Sequence, residues 1–508
     1  MSDSESRPSS SDAAVIDVGS NSVRLVLYRV DGRAIWSVFN EKVLAGLGRD
    51  LSRTGALSPE GSATAVLALR RFKALIDDSR PTRVFTAATA AVRDASDGPE
   101  FRRRVLEQTG LDLRVLTGEE EARYAALGVA AGAPGCEGLV GDLGGASLEL
   151  VRLDGKRAGR GVTLPLGPFA IAVGGRHDPD RARALTLKAI APHEKLLRAN
   201  TLTVVGGAWR NLALLQMRIG GYPLEIVHQY GVSRAELLPT VRFIARQSRG
   251  SLERIPGISR RRLENLPHAA AVLEALIDRL DIQRVSFSAF GVREGMLFES
   301  LPAGARQQDP LLAGCAALGG RPATAEALGE ALAAWIEPAF ENLDPVFRGR
   351  DRVLAGAVCR LADLGAQLHP DHRADLVFQQ VLRAPIAGMN HSERAFVALA
   401  AFARHTASGT PPEPAVLDRL LNDERRQRAR ALGAAVRLAC ELSGRSPELL
   451  AHSSLEIRNG VVAVEADETW APILLGEQTA KRAATLAQLL GREPRLRSRN
   501  RASLTLTG

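Results

Sequence analysis

The chain has 508 residues, which at about 150 per domain predicts three to four domains, each large enough for its own apolar core. With 45% hydrophobic and 24% charged residues it is globular, not disordered. Its charge is +9; four scattered cysteines without a CxxC pair (Cys136, Cys315, Cys359, Cys440) and the lack of any run of about 18 apolar residues exclude a disulfide framework, a zinc knot and a membrane span.

The first twelve residues (MSDSESRPSSSD) are polar and lack the apolar stretch of an export signal, so a disordered tail and a cytoplasmic location are expected. From Val15 to Val26 the text reads strand, Gly-rich turn, strand, closing at Asp31-Gly32. Ser58-Pro59-Glu60 caps a helix reaching about Asp78. A strand near 83–86, a helix near 100–109, a strand near 113–116 and a helix from about Glu119 to Ala131 follow. A second strand, turn and strand run from Val140 to Val151 and close at Asp154-Gly155. A long helix near 180–199, a strand at 201–205, a Gly206-Gly207 turn opening another helix, a strand at 284–287 and a helix from about Val292 complete a second α/β half. Two such halves imply a ligand cleft between them. A Gly/Pro/Ala-rich connector (301–322) leads into Ala/Leu/Arg-rich text of helical period up to about Ser443. Strands at 455–458 and 461–465 around Asn459-Gly460, then a helix near 478–490, form a small α+β appendage. The expected division is a tail (1–12), two α/β subdomains (13–135 and 136–305), a helical domain (306–443) and the appendage (444–508).

The most informative feature is an internal repeat. Moved forward by 125 residues, Val15–Val26 falls on Val140–Val151 with six of twelve positions identical and no gap. The turns Asp17-Val18-Gly19-Ser20-Asn21-Ser22 and Asp142-Leu143-Gly144-Gly145-Ala146-Ser147 suit phosphate: glycines admit backbone N–H groups, hydroxyls add donors, and a leading carboxylate can hold a hydrated divalent cation. One such turn is an ordinary hairpin; two argue for a site. Gly206-Gly207 offers a third anion site at a helix N-terminus, and Arg93, after a strand ending in small residues, a phosphate clamp. Glu119, Glu120 and Glu121 open a helix, where carboxylates usually serve the dipole; a phosphate-cleaving cleft also needs a base to deprotonate water, and spacing leaves open which of the three faces inward. The repeat pairs Arg24 with Glu149, opposite charges at one place on two related hairpins. No P-loop, nucleophile elbow or HExxH motif is present. Of 66 basic residues only six are lysines, and planar, bidentate arginine suits phosphate-rich polyanions; a GC-rich genome gives the same bias, and aromatics at 4% speak against single-stranded nucleic acid as a partner.

The segments VIDVGSNSVRLVLYRV, ATAAVRDA, TGEEEARYAALGV, GLVGDLGGASLELV, VVGGA and GVREGMLFE, in that order and spacing, resemble the exopolyphosphatase / guanosine pentaphosphate phosphohydrolase (Ppx/GppA) family, over about residues 13–300. The resemblance implies two actin-like (ribonuclease H-like) subdomains with a cleft, a helical HD-like domain and a small C-terminal α+β domain. It implies release of terminal phosphate from inorganic polyphosphate with Mg2+, or Mn2+ in its place. Glu121 then matches the catalytic base; Asp17, Gly19, Ser20, Asn21, Ser22, Arg93, Gly144, Gly145, Ser147, Gly206 and Gly207 match phosphate-binding positions; Asp142 and Glu149 match the acidic pair at the metal. The alternatives are a guanosine pentaphosphate (pppGpp) 5'-phosphohydrolase, an actin-like kinase or regulator, or a non-catalytic sensor of polyphosphate or of guanosine or adenosine nucleotides; a homodimer is what relatives suggest. Three departures stand out: Ala146 where a third glycine is usual, Ala208 where Thr is usual, and Ala362-Asp363 in place of a His-Asp pair. His369, His372, His391 and His405 have no ordinary metal spacing, so no second metal centre is expected. Arginines such as Arg373, Arg383, Arg394, Arg404, Arg425, Arg426 and Arg428 could instead hold the distal part of a polyanion.

Overall fold

The computed structural model describes residues 11–499 except 156, 172–177, 255–262, 264, 320–321 and 408. Contacts divide the chain into two compact units, Met1–Gln308 and Asp309–Gly508.

The first unit contains the repeat twice over. Strands β1 (Ser11–Val18), β2 (Val23–Asp31) and β3 (Ala34–Val43) form an antiparallel meander, extended in parallel by β4 (Arg83–Ala88) and β5 (Arg114–Val115), in the order β3-β2-β1-β4-β5. The second sheet repeats this with β6 (Glu137–Leu143), β7 (Leu148–Asp154), β8 (Arg157–Leu164), β9 (Thr201–Val205) and β11 (Arg284–Phe287), and adds β10 (Tyr230–Ser233) at the far edge. The fold is the expected pair of actin-like α/β subdomains. Helix α1 (Pro59–Ser79), opened by Ser58 accepting from the Gly61 N–H, and α2 (Gly98–Thr109) cover the first sheet. Helices α4 (Pro179–Ile190), α5 (Gly207–Ile219), α6 (Arg234–Ala245) and α7 (Leu266–Arg279) bury the second around Trp209 and Phe287. The expected long helix at 180–199 stops at Ile190 because Pro192 lacks the N–H that would continue it.

Two helices change sides. The helix α3 (Gly118–Gly132) leaves the first subdomain yet buries Ala122, Ala126, Val129 and Ala130 against Val140, Val151 and Leu153 of the second. Conversely α8 (Val292–Ser300) leaves the second and packs Leu297 and Phe298 against Ala13, Val15 and Val26 of the first. They cross where glycine alone fits: a Cβ on Gly128 would lie 2.0 Å from the Gly291 carbonyl oxygen, and one on Gly295 would lie 1.9 Å from that of Tyr124.

The second unit is helical up to Ser443, through α9 (Pro310–Gly319), α10 (Pro322–Phe340), α11 (Asp351–Arg360), α12 (Pro370–Arg383), α13 (His391–His405) and α14 (Asp423–Ser443). The connector expected at 301–322 is therefore largely helical, its alanines outweighing its glycines. A three-stranded sheet of β12 (Ser453–Arg458), β13 (Val461–Asp467) and β14 (Glu493–Arg499), with α15 (Glu477–Leu490) linking the parallel pair β13 and β14, closes the chain. Trp335 of α10 donates to the Ser453 hydroxyl of β12 at 3.0 Å, joining helices and sheet. Among the described residues, no helix is long and apolar enough to cross a membrane.

Candidate active site

The duplicated hairpins place their turns alike. In the first, Asp17 stands opposite Arg24 and the Gly19 N–H donates to the Ser22 carbonyl at 3.0 Å; in the second, Asp142 stands opposite Glu149 and the Gly144 N–H donates to the Ser147 carbonyl at 2.9 Å. The turns meet face to face: a Cβ on Gly145 would lie 3.1 Å from the Ser20 Cβ and 3.4 Å from the Asn21 backbone nitrogen. Ala146 is absent from the residues with positive φ, so it carries none of the strain a third glycine would relieve. The third turn needs its glycine, since Gly206 has φ +108° and a Cβ there would meet the Leu143 carbonyl oxygen at 2.5 Å and Asp142 Oδ1 at 3.2 Å.

Together these turns line one cleft of about 770 Å³. Asp17, Gly19, Ser20, Asn21, Ser22, Glu121, Asp142, Gly144, Gly145, Ser147, Gly206 and Gly207 all border it; Arg93 and Glu149 stand just behind its wall. Of the three glutamates opening α3, Glu119 is exposed and Glu120 reaches back to the Thr117 N–H in a capping box while pairing with Arg114. Glu121 alone points into the cleft, only 7% exposed. Its Oε2 accepts from Arg93 Nη1 at 3.2 Å, and Arg93 is further tied to Asp94 and to the Leu116 carbonyl. The expected phosphate clamp thus serves, in this structure, as the partner of Glu121.

The site gathers buried charges of both signs. Burial, and then the charge of Asp142, push the Glu121 carboxyl up to about 8, with Arg93 pulling the other way. Asp142 is held near 6 by burial and Asp17, against Arg210 and Arg293. Glu149, 1% exposed, is raised by burial and by Glu121. Neither of its carboxylate oxygens finds a hydrogen bond, and the Ser147 hydroxyl beside it and the charge of Arg93 favour the charged form too weakly to offset burial. A solvated, outward-facing Glu149 is ruled out. The same cleft is also lined by cations. Arg24 and Lys42 are cross-strand partners on β2 and β3, and Arg210 and Arg293 face them from α5 and α8. Among the described residues, the side chains of Arg24, Lys42 and Arg210 make no hydrogen bond or ion pair. Partial desolvation and the like charges of its neighbours lower Arg24 to about 10 and Lys42, at the cleft mouth, to about 8. Arg293 differs: burial opposes its charge, but Glu294, Tyr28 and Asp17 more than offset it.

Lys42, Arg49, Arg210, Asn211 and Arg293 border the cleft without having been singled out by sequence. A signal existed for two of them, since Arg210 and Arg293 each fall within the first turn of a helix opened by a glycine, Gly206 or Gly291.

In the second unit, Asp363 accepts from Arg445 Nη1 at 3.3 Å, His369 caps α12 and His405 contacts the Leu364 carbonyl at 3.2 Å. Among the described residues, no group of three or more His, Cys, Asp or Glu side chains converges on a metal position in either unit. The arginines named as a possible tether mostly turn inward: Arg373, Arg394, Arg425 and Arg428 donate to backbone carbonyls, and Arg383 and Arg426 pair with Glu413 and Asp418.

Compared with known proteins, the chain matches the family model for the Ppx/GppA phosphatase family over residues 26–303 and that for the C-terminal part of exopolyphosphatase over residues 345–496. It is 28% identical over 429 residues, 77% of this chain and 72% of the other, to retrograde regulation protein 2 of Saccharomyces cerevisiae. Among solved structures it is similar to the Aquifex aeolicus Ppx/GppA family member, with TM-score 0.50 and 26% identity over 57% of this chain and 96% of that one. An exopolyphosphatase from Cytophaga hutchinsonii shares the fold, with TM-score 0.53 and 21% identity over 57% of this chain and 97% of that one.

Proposed function

This chain belongs to the Ppx/GppA phosphatase family, and on that premise we propose that it is an exopolyphosphatase, hydrolysing the terminal phosphoanhydride of inorganic polyphosphate. The observation that carries the reading is the lining of the cleft: cations without partners, a buried carboxylate, and two glycine-bearing turns in contact with each other. Unpaired, partly buried cations cost the fold stability until a polyanion arrives. A protein that only bound phosphate would gain nothing from desolvating Glu121 as well.

The backbone N–H groups of the two turns and the hydroxyls of Ser20, Ser22 and Ser147 hold the terminal phosphoryl group, while Arg24, Lys42, Arg210 and Arg293 take the following phosphates. With Oε2 of Glu121 held by Arg93, Oε1 is left for a water. That water's oxygen bonds to the terminal phosphorus as Glu121 takes its proton, and the bridging P–O bond breaks to release the shortened chain as the anion. A carboxylate whose proton affinity is lifted toward neutrality by burial is suited to this work.

Asp142 and Glu149 fit the divalent cation the family implies. They are hard oxygen donors, Glu149 has two buried oxygens without a hydrogen bond, and Mg2+ commonly takes only one or two carboxylates and completes its shell with phosphate and water. Bound there, Mg2+ would neutralise charge developing on the phosphoryl oxygens.

One observation favours guanosine pentaphosphate as a second substrate. Leu214 and Val227, with Asn211 and Asn265, line another part of the cleft, an apolar surface with amide edges of the kind a nucleobase takes. Phosphate release from long-chain polyphosphate and from pppGpp, each with and without Mg2+, tests both readings. Mg2+-dependent release from polyphosphate is expected. Cleavage of pppGpp alone would replace the first reading by the second, and no cleavage of either would overturn both and leave a non-catalytic protein; the yeast relative is named for regulation.

A further inference from the structure

The cations lining the cleft include a guanidinium that its neighbours repel. Arg293 is 11% exposed, and Arg24 and Arg210 both face it as like charges. What holds it begins on β2. Tyr28 lies four residues beyond Arg24 and so on the same face of the strand, 2% exposed. Its hydroxyl donates to Oε1 of Glu294, whose Oε2 accepts from the Gly291 N–H at 2.8 Å, so both carboxylate oxygens are occupied. Oε1 also lies 4.0 Å from Arg293 Nε, and Arg293 Nη1 reaches Asp17 Oδ2 at 3.4 Å. Tyr28, Glu294, Arg293 and Asp17 are thus linked from mid-strand β2 through the start of α8 to the first turn, the Glu294–Arg293 link being a charge contact in which Arg293 Nε makes no hydrogen bond, with the Tyr28 hydroxyl also beside Arg293. Around Tyr28 this face is otherwise apolar, built by Ala13, Val15, Val26, Val30, Leu297 and Phe298. A phenylalanine would satisfy that packing; the hydroxyl answers a separate, polar demand.

Resting on the reading of the cleft as a phosphate site, we propose that Tyr28 is a positioning residue of that site: its hydroxyl fixes Glu294, which holds Arg293 against Arg24 and Arg210 and thereby holds the Asp17 end of the first turn.

The test is Tyr28→Phe, alone and in an Arg293→Lys background. Removing the donor from a buried carboxylate oxygen should raise KM for long-chain polyphosphate about tenfold while kcat stays within about threefold. It should also speed solvent exchange of the Gly291 and Gly19 amides. In the Arg293→Lys background the same change should alter KM by less than about twofold, because its effect passes through Arg293. Unchanged KM with unchanged exchange, or an equal factor on KM in both backgrounds as simple loss of packing would give, overturns the proposal. If the wild-type protein neither binds nor cleaves polyphosphate, the phosphate reading of the cleft fails. The exchange rates, which need no substrate, then decide the clamp by themselves: faster exchange in Tyr28→Phe supports it and unchanged exchange removes it.

Discussion

Replacing Glu121 by Gln separates what this carboxylate does for chemistry from what it costs the fold. In the unfolded chain the group loses its proton near 4.5; in the ligand-free folded state burial and Asp142 delay this to about 8. Between those values the folded state holds the extra proton, so stability falls as pH rises through the window and the full penalty stands above pH 8. At 1.36 kcal/mol per tenfold change in protonation the penalty approaches about 5 kcal/mol. Because the site ionises together with Asp142 and Glu149, and because glutamine weakens the Arg93 contact, the expected gain is about 2 to 4 kcal/mol. Thermal unfolding without ligand should show Glu121→Gln melting above wild type at pH 9, less so at pH 7, and level with it near pH 5. Phosphate release from polyphosphate should fall about 10²- to 10⁴-fold. A loss of turnover smaller than about threefold, or a melting difference that ignores pH, would refute the reasoning.

Glu149→Gln should raise the half-saturating Mg2+ concentration about 10- to 100-fold, read from turnover against metal; an unchanged value would remove Glu149 from the cation site. Since the Lys42 ammonium is charged only below about 8, polyphosphate affinity should fall as pH rises through 8 more steeply in wild type than in Lys42→Arg, which keeps only the fall that ionising Glu121 causes, as calorimetry would show. Lys42→Met should make that affinity less salt-dependent by about one released ion, and identical salt slopes would place Lys42 outside the binding path. Gly145→Ala pushes a methyl group against Ser20 and Asn21 and should lower kcat/KM about tenfold without altering the circular dichroism spectrum; full activity would mean that the turns need not touch.

The cleft was legible because duplication is a long-range signal that a single sequence retains. Placing Val15–Val26 on Val140–Val151 already equates Asp17 with Asp142 and Arg24 with Glu149, and both registers hold in the sheets. Edges were harder to see. β3 carries four exposed residues in succession and β14 is exposed along nearly its whole length, so neither has the buried face that makes a strand's alternation recognisable. The cations were least legible. Lys42 reaches the cleft because β3 pairs with β2 so that Lys42 lies beside Arg24, which no local pattern encodes, and Arg210 and Arg293 reach it because two helices begin at its rim, where the glycine before each helix is the one local hint. Arg93 shows the converse: its sequence context suggested a ligand contact, while in the structure it reaches Glu121 at 3.2 Å, 28 positions away in the chain.

The bare crossing of α3 and α8 has a mechanical consequence. With backbone touching backbone at Gly128 and Gly295, the helix bearing Glu121 and the helix bearing Arg293 have no slack between them. If the two halves of this unit rock against each other, Glu121 and Arg293 travel as one rigid tool. Even a methyl group at either glycine would act as a wedge there, mistuning the tool from a distance without touching any part of the substrate.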